Sequence, residues 1–296
     1  MIRFSMTILS LMLISAFSFA QSDNDPNQNY TRNDNWGNPP GGTWDGSTMW
    51  VAADGKGQIY VLVRAKPYVR ILDRDGNFIR GWDGEGEISN PHSITVDNDG
   101  NVWITETYSH IVLKFSNDGE HLMTLGKRDE PGDNDVTDRF TQPNHVFIHD
   151  NGDIYVSDGY VNSRIVHFTP EGEFIRIIGG VGGPRDGEFQ AVHGVAVDSK
   201  GNIIANDSEN FRVNVFDKDG KFIESWPYQS RGGIEIMDDD TVYVSDINLG
   251  EVYILKNGEL IDTAYAPRAH GLAVDSDGAI YTSSASRMTV IKLTPK

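Results

Sequence analysis

Three stretches decide the fold: His92–Thr107 (HSITVDNDGNVWITET), His193–Ser208 (HGVAVDSKGNIIANDS) and His270–Ala285 (HGLAVDSDGAIYTSSA). Each is an alternating apolar run, an Asp-x-x-Gly turn and a second run. Period-2 alternation broken by tight glycine turns denotes antiparallel strands joined by hairpins. Working outward, the pattern recurs along the chain. The first turn falls at Gly57, Gly100, Gly152, Gly201, Asp240 and Gly278. A second turn, at Gly76, Gly119, Gly172, Gly220 and Gly258, follows 18 to 20 residues later. Each unit is therefore a four-stranded meander, which alone cannot bury both faces. Six of them round an axis can, so the reading is all-β, a six-bladed β-propeller.

The sixth unit has its first turn at Gly278, and its fourth strand would lie beyond Lys296. The segment Tyr30–Gly37 (YTRNDNWG) carries a tryptophan near its end, as Gly81-Trp82 and Phe222–Trp226 do. It is predicted to supply the missing strand. That pairing closes the ring and removes two exposed sheet edges. A length of 296 residues would suggest two domains at about 150 residues each, but the repeat makes it one ring.

Ahead of the ring, residues 1–20 (MIRFSMTILSLMLISAFSFA) read as a signal peptide: Arg3, an apolar stretch from Ile8 to Phe17, and small residues at Ser18 and Ala20. Residue 21 is Gln, so a lipoprotein cysteine is missing. Residues 21–29 read as a flexible leader and 30–296 as the propeller. The chain is expected to be secreted or periplasmic, with no membrane span. The net charge of −18, from 43 acids against 25 bases, argues against nucleic acid or an anionic membrane as partner. The absence of cysteine excludes disulfides, a thiolate zinc site and a cysteine nucleophile.

The turn register also exposes the functional candidates. Eight residues before the first turn stand Met49, His92, Asn144, His193, Gly232 and His270, in blades one to six. Histidine occupies blades two, four and six, about 120° apart around the axis. With 8 histidines in 296 residues, chance fills three of six such slots about 4 times in 10,000. Three imidazoles from three sides, with an open fourth position, fit a catalytic Zn²⁺; softness and geometry alone leave iron and copper open. His110, His121, His145, His149 and His167 lie off this register and are expected to be surface or structural. Asp158, Asp207 and Asp246 end second strands and read as turn devices, with Arg164 and Arg212 as partners for the first two.

Blade three carries the most specific run, Val156-Ser-Asp158-Gly-Tyr160-Val-Asn162-Ser-Arg164-Ile-Val. With the three spaced histidines, it resembles the peptidyl-α-hydroxyglycine α-amidating lyases, a branch of the NHL-repeat propellers. The resemblance runs from about residue 44 to 296. It implies cleavage of a peptidyl-α-hydroxyglycine to a peptide amide and glyoxylate, with zinc on His92, His193 and His270 and Tyr160 as base. It also implies a structural Ca²⁺ in the central channel. Three places depart from the family pattern. A substrate-holding arginine is replaced by Ser208. Another is missing from Pro39–Trp44, and the aspartate after the third histidine, a calcium ligand, is Gly271. Arg64, after the second strand of blade one, and Arg268, two residues before His270, are the candidates to bind a substrate carboxylate instead. The expected substrate is a peptide or small molecule. The competing expectation is a non-catalytic NHL propeller that binds a protein or peptide and holds a structural metal. A calcium-dependent lactonase-type propeller ranks last, since this register offers His, Met and Gly rather than carboxylates.

Overall fold

The computed structural model describes residues 27–296. It contains six four-stranded antiparallel sheets, each a meander, arranged as the blades of a propeller. Blade two is typical: Pro91–Val96, Val102–Glu106, Ile111–Phe115 and His121–Gly126 run from the channel outward. The repeat turns form for a local reason. In blade two, Asp97 accepts hydrogen bonds from Asn101 N and, through its carbonyl, from Gly100 N. This wraps the chain so that Gly100 must hold φ 86°, where a side chain is strained. Asp240, which takes the glycine's place in blade five, holds φ 64°.

Blade six consists of Gly271–Val274, Ile280–Ser284, Thr289–Pro295 and, as its outermost strand, Tyr30–Trp36. The two chain ends run antiparallel, with Tyr30 opposite Pro295 and Trp36 opposite Val290. Trp36 is buried edge-on against Tyr281 and donates Nε1–H to the Arg74 carbonyl at 3.1 Å. The expected closure is thus the one observed. Residues 27–29 of the expected leader form a turn, and Asn27 is buried with hydrogen bonds to both backbone groups of Tyr265. The expected signal peptide lies outside the described residues.

Apolar side chains pack between neighbouring blades rather than in one central mass. Six clusters result, one at each blade–blade contact. Every first strand is thereby held at a set angle round the axis, which is what aims its side chains at the channel.

Two expected ion pairs are present. Arg164 Nε donates to Asp158 Oδ2 at 2.9 Å, both fully buried, and Arg212 Nε to Asp207 Oδ2 at 2.9 Å. Arg164 also donates to the carbonyls of Asn134, Val136 and Arg139. The long link Lys127–Arg139 is largely exposed, and this buried guanidinium straps it down.

Candidate metal centre and active site

His92, His193 and His270 meet in the channel as their register requires. Their ring centroids are 5.2, 5.1 and 5.2 Å apart, an almost equilateral triangle. One ligand nitrogen from each lies within 4.8 Å of the others, and all three residues are buried. The other ring nitrogen is fixed by backbone. His92 Nδ1 donates to Asn144 O at 2.7 Å, His193 Nδ1 to Gly232 O at 3.0 Å and His270 Nδ1 to Met49 O at 2.9 Å. A carbonyl can only accept, so the proton sits on Nδ1 and the Nε2 lone pair is left for the centre.

These three carbonyls belong to the remaining register positions, Met49, Asn144 and Gly232. Even blades supply imidazoles, and each is oriented by the backbone of the next odd blade. The sequence register contained this alternation, but the odd positions looked uninformative because their contribution is backbone and not side chain.

Burial holds all three histidines neutral. His193 is pushed down to about 3; His92 and His270 also fall below the usual imidazole range. After burial, mutual repulsion adds to the shift at His92 and His193. Neutral imidazole is the form that binds a metal.

Tyr160 completes the cluster. Its hydroxyl lies 2.8 Å from His92 Nε2 and 3.2 Å from His193 Nε2, while 45% of the residue stays exposed. The phenol thus points inward beside the point where the imidazoles converge. Burial pushes it up to about 12, opposed in part by Asn144 and the Arg64 charge.

The centre opens on one side into a cavity of about 220 Å³, lined by Arg64, His92, Tyr108, Tyr160, Ile247 and His270, among others. Arg64 is half-buried there, its Nε donating to Pro91 O at 3.1 Å. No carboxylate pairs with it among the described residues. Arg268 is placed differently from the sequence reading. It lies in the turn before Gly271–Val274, with φ 65°, is exposed and does not line this cavity. Sequence reasoning missed Arg231. It pairs with Glu209 at 2.5 Å and covers the Phe211 ring at 6.0 Å, in the loop that carries Ser208. Its charge adds to the depression of His193. Nothing in the one-dimensional pattern marks it, because it approaches that loop from the next blade.

The fold and the site together define a six-bladed β-propeller of NHL type with a three-histidine centre on its axis. An NHL-repeat model matches residues 89–115. The peptidyl-glycine alpha-amidating monooxygenase B of Xenopus laevis is 30% identical over 254 residues, 77% of this chain and 29% of that protein. Peptidyl-alpha-hydroxyglycine alpha-amidating lyase 2 of Drosophila melanogaster is 31% identical over 180 residues, 57% of this chain and 41% of that protein. NHL repeat-containing protein 3 of Homo sapiens is 28% identical over 283 residues, 84% of this chain and 80% of that protein. The chain thus spans less than a third of the first relative's length. The resemblance to the amidating lyases read from the sequence holds.

Proposed function

We propose that this chain is a zinc-dependent lyase that cleaves the C–N bond of a peptidyl-α-hydroxyglycine or a similar carbinolamide. The observation that carries this reading is the triangle of neutral imidazoles, each locked by a carbonyl, with the Tyr160 hydroxyl on two of them. Three nitrogen ligands with an open side suit a catalytic rather than a closed structural zinc. When bound, zinc supplies Lewis acidity that lowers the pKa of a substrate hydroxyl.

The protein's own residues do the rest. Tyr160, as phenolate, takes the hydroxyl proton. The C–O bond then becomes a carbonyl as the C–N bond breaks. The amide nitrogen leaves with the bond pair and takes up a proton, giving an amide and glyoxylate. A phenol held near 12 is a poor base at neutral pH, so it needs positive charge beside it. Arg64 lies on the right side to give some and to hold the glyoxylate-forming carboxylate.

The rim supports a peptide as substrate. Tyr108, Val161, Phe211, Leu249 and Met288 are about half exposed or more. All lie between the second and third strands of blades two to six, the same connection that carries Tyr160. An apolar rim round a polar centre suits side chains next to the scissile glycine.

Export through residues 1–20 belongs to the same reading. Among the described residues no helix is long and apolar enough to cross a membrane. A second reading, a non-catalytic binding propeller with a structural metal, draws on Ser208 at the family's arginine position and on the 80% coverage of NHL repeat-containing protein 3. Glyoxylate release from a peptidyl-α-hydroxyglycine separates the two. Turnover abolished by His193→Ala supports the lyase, and no turnover by the zinc-loaded protein overturns it.

A further inference from the structure

The channel beside the three histidines is filled by an indole. Trp50, from blade one, is 1% exposed. Its ring lies 5.7 Å from His92 in blade two, 5.2 Å from His145 in blade three, 5.9 Å from His193 in blade four and 5.3 Å from His270 in blade six. In blade five, a Cβ at Gly233 would stand 3.2 Å from Trp50 Cζ2. Only a side chain on the axis reaches all the other blades. Two glycines make the room. A Cβ at Gly271 would stand 2.6 Å from Trp50 Cα and 3.0 Å from its Cγ, so no side chain fits there.

This is where the family resemblance expects a calcium ligand, and the residues present do not fit that ion. Ca²⁺ takes 6–8 oxygens. Position 271 has no side chain, and among the described residues the three histidines are the one group of three or more His, Cys, Asp or Glu side chains close enough to share a metal, so no carboxylate cluster stands in the channel. Against the indole, His145 stacks at an interplanar angle of 28° and offers no oxygen.

We propose that Trp50 is a positioning residue that replaces the channel ion: it forms the wall behind His92, His193 and His270 and makes the centre independent of calcium. The proposal stands whether or not the protein is a lyase, because it concerns only ion requirement and metal affinity.

The test uses the full propeller in two arms. In the first, thermal unfolding is followed with EGTA and with millimolar Ca²⁺. A bound ion at 100 times its dissociation constant would raise the midpoint by roughly 5–10 °C; we expect a change below about 1 °C. A stabilisation of several degrees, or stoichiometric calcium after dialysis, overturns the proposal. In the second arm, Zn²⁺ affinity and Co²⁺ quenching of tryptophan emission are compared for the native protein, Trp50→Phe and Trp50→Ala. Loss of an outer support costs on the order of 10–100-fold in metal affinity, so Trp50→Ala should bind zinc that much more weakly. Trp50→Phe, which keeps an aromatic wall, should stay within about threefold but lose the Trp50 share of the quench. Native affinity in a folded Trp50→Ala, or unchanged quenching in Trp50→Phe, refutes it. If Trp50→Ala does not fold, the calcium arm and Trp50→Phe still decide.

Discussion

Replacing Tyr160 by Phe removes one oxygen from the site and leaves the ring. In the structure that oxygen is 2.8 Å from His92 Nε2 and 3.2 Å from His193 Nε2. One phenol has one proton, so it donates to one of these nitrogens at a time. In the metal-free protein the loss is then one hydrogen bond, about 1 kcal/mol, or about 2–4 °C in the unfolding midpoint for a chain of this size. The imidazoles keep their backbone anchors, since none of the three Nδ1 contacts involves Tyr160. Zinc content should therefore stay stoichiometric. Activity should not survive so well. A positioned acid–base group contributes about 10²–10⁴-fold, which is about 3–5 kcal/mol of barrier. The assay is glyoxylate release from a peptidyl-α-hydroxyglycine, with kcat and KM measured separately. An interaction made only in the transition state lowers kcat and kcat/KM together. If Tyr160→Phe keeps kcat within threefold of native while losing only the small stability increment, Tyr160 is a structural neighbour and the assigned role is wrong.

Three further outcomes follow from the same structure. Arg164→Met leaves the Asp158 carboxylate buried without its cation and frees the carbonyls of Asn134, Val136 and Arg139; chemical denaturation should show a loss of about 3–5 kcal/mol, with faster amide exchange in 127–139. Trp36→Ala hollows the closing strand of blade six and should cost about 3–5 kcal/mol, read from the urea midpoint. Burial pushes the Glu235 carboxyl up to about 8, against about 4.3 in an unfolded chain. Between those values the native state keeps a proton that the unfolded state has lost, so stability falls as pH rises from about 4.3 to 8. Glu235→Gln should flatten that limb, and an unchanged slope would show that another group produces it.

Much of this was legible in one dimension, for reasons that individual residues make clear. Gly100 and Gly201 sit where the hairpin forces a positive φ, so the turns fix the register without knowledge of packing. Once the register is known, symmetry does the rest. His92, His193 and His270 converge because equivalent positions in alternate blades face one axis. Closure by Tyr30–Trp36 was readable because Trp36 ends its segment as Trp82 and Trp226 end the fourth strands of blades one and four.

What escaped the sequence depends on backbone and on contacts between blades. The carbonyls of Met49, Asn144 and Gly232 orient the imidazoles, and a carbonyl has no residue signature. Trp50 and His145 lie one residue after register positions of blades one and three, so the register does not mark them, although both meet on the axis. Arg268 is a sequence candidate through its spacing of two from His270, but the strand begins at Gly271 and the preceding turn sends it outward. Arg231 reaches the Ser208 loop across a blade boundary, a relation that no local spacing encodes.

The central claim is that three carbonyl-anchored imidazoles hold a catalytic zinc. The most direct test measures bound metal and glyoxylate release on the same preparation, before and after chelation and zinc readdition, in the native protein and in His193→Ala. The account predicts one zinc per chain, with turnover lost on chelation, restored by zinc, and absent in His193→Ala along with the metal. Turnover that survives full removal of metal, or a zinc-loaded native protein that releases no glyoxylate, would contradict it.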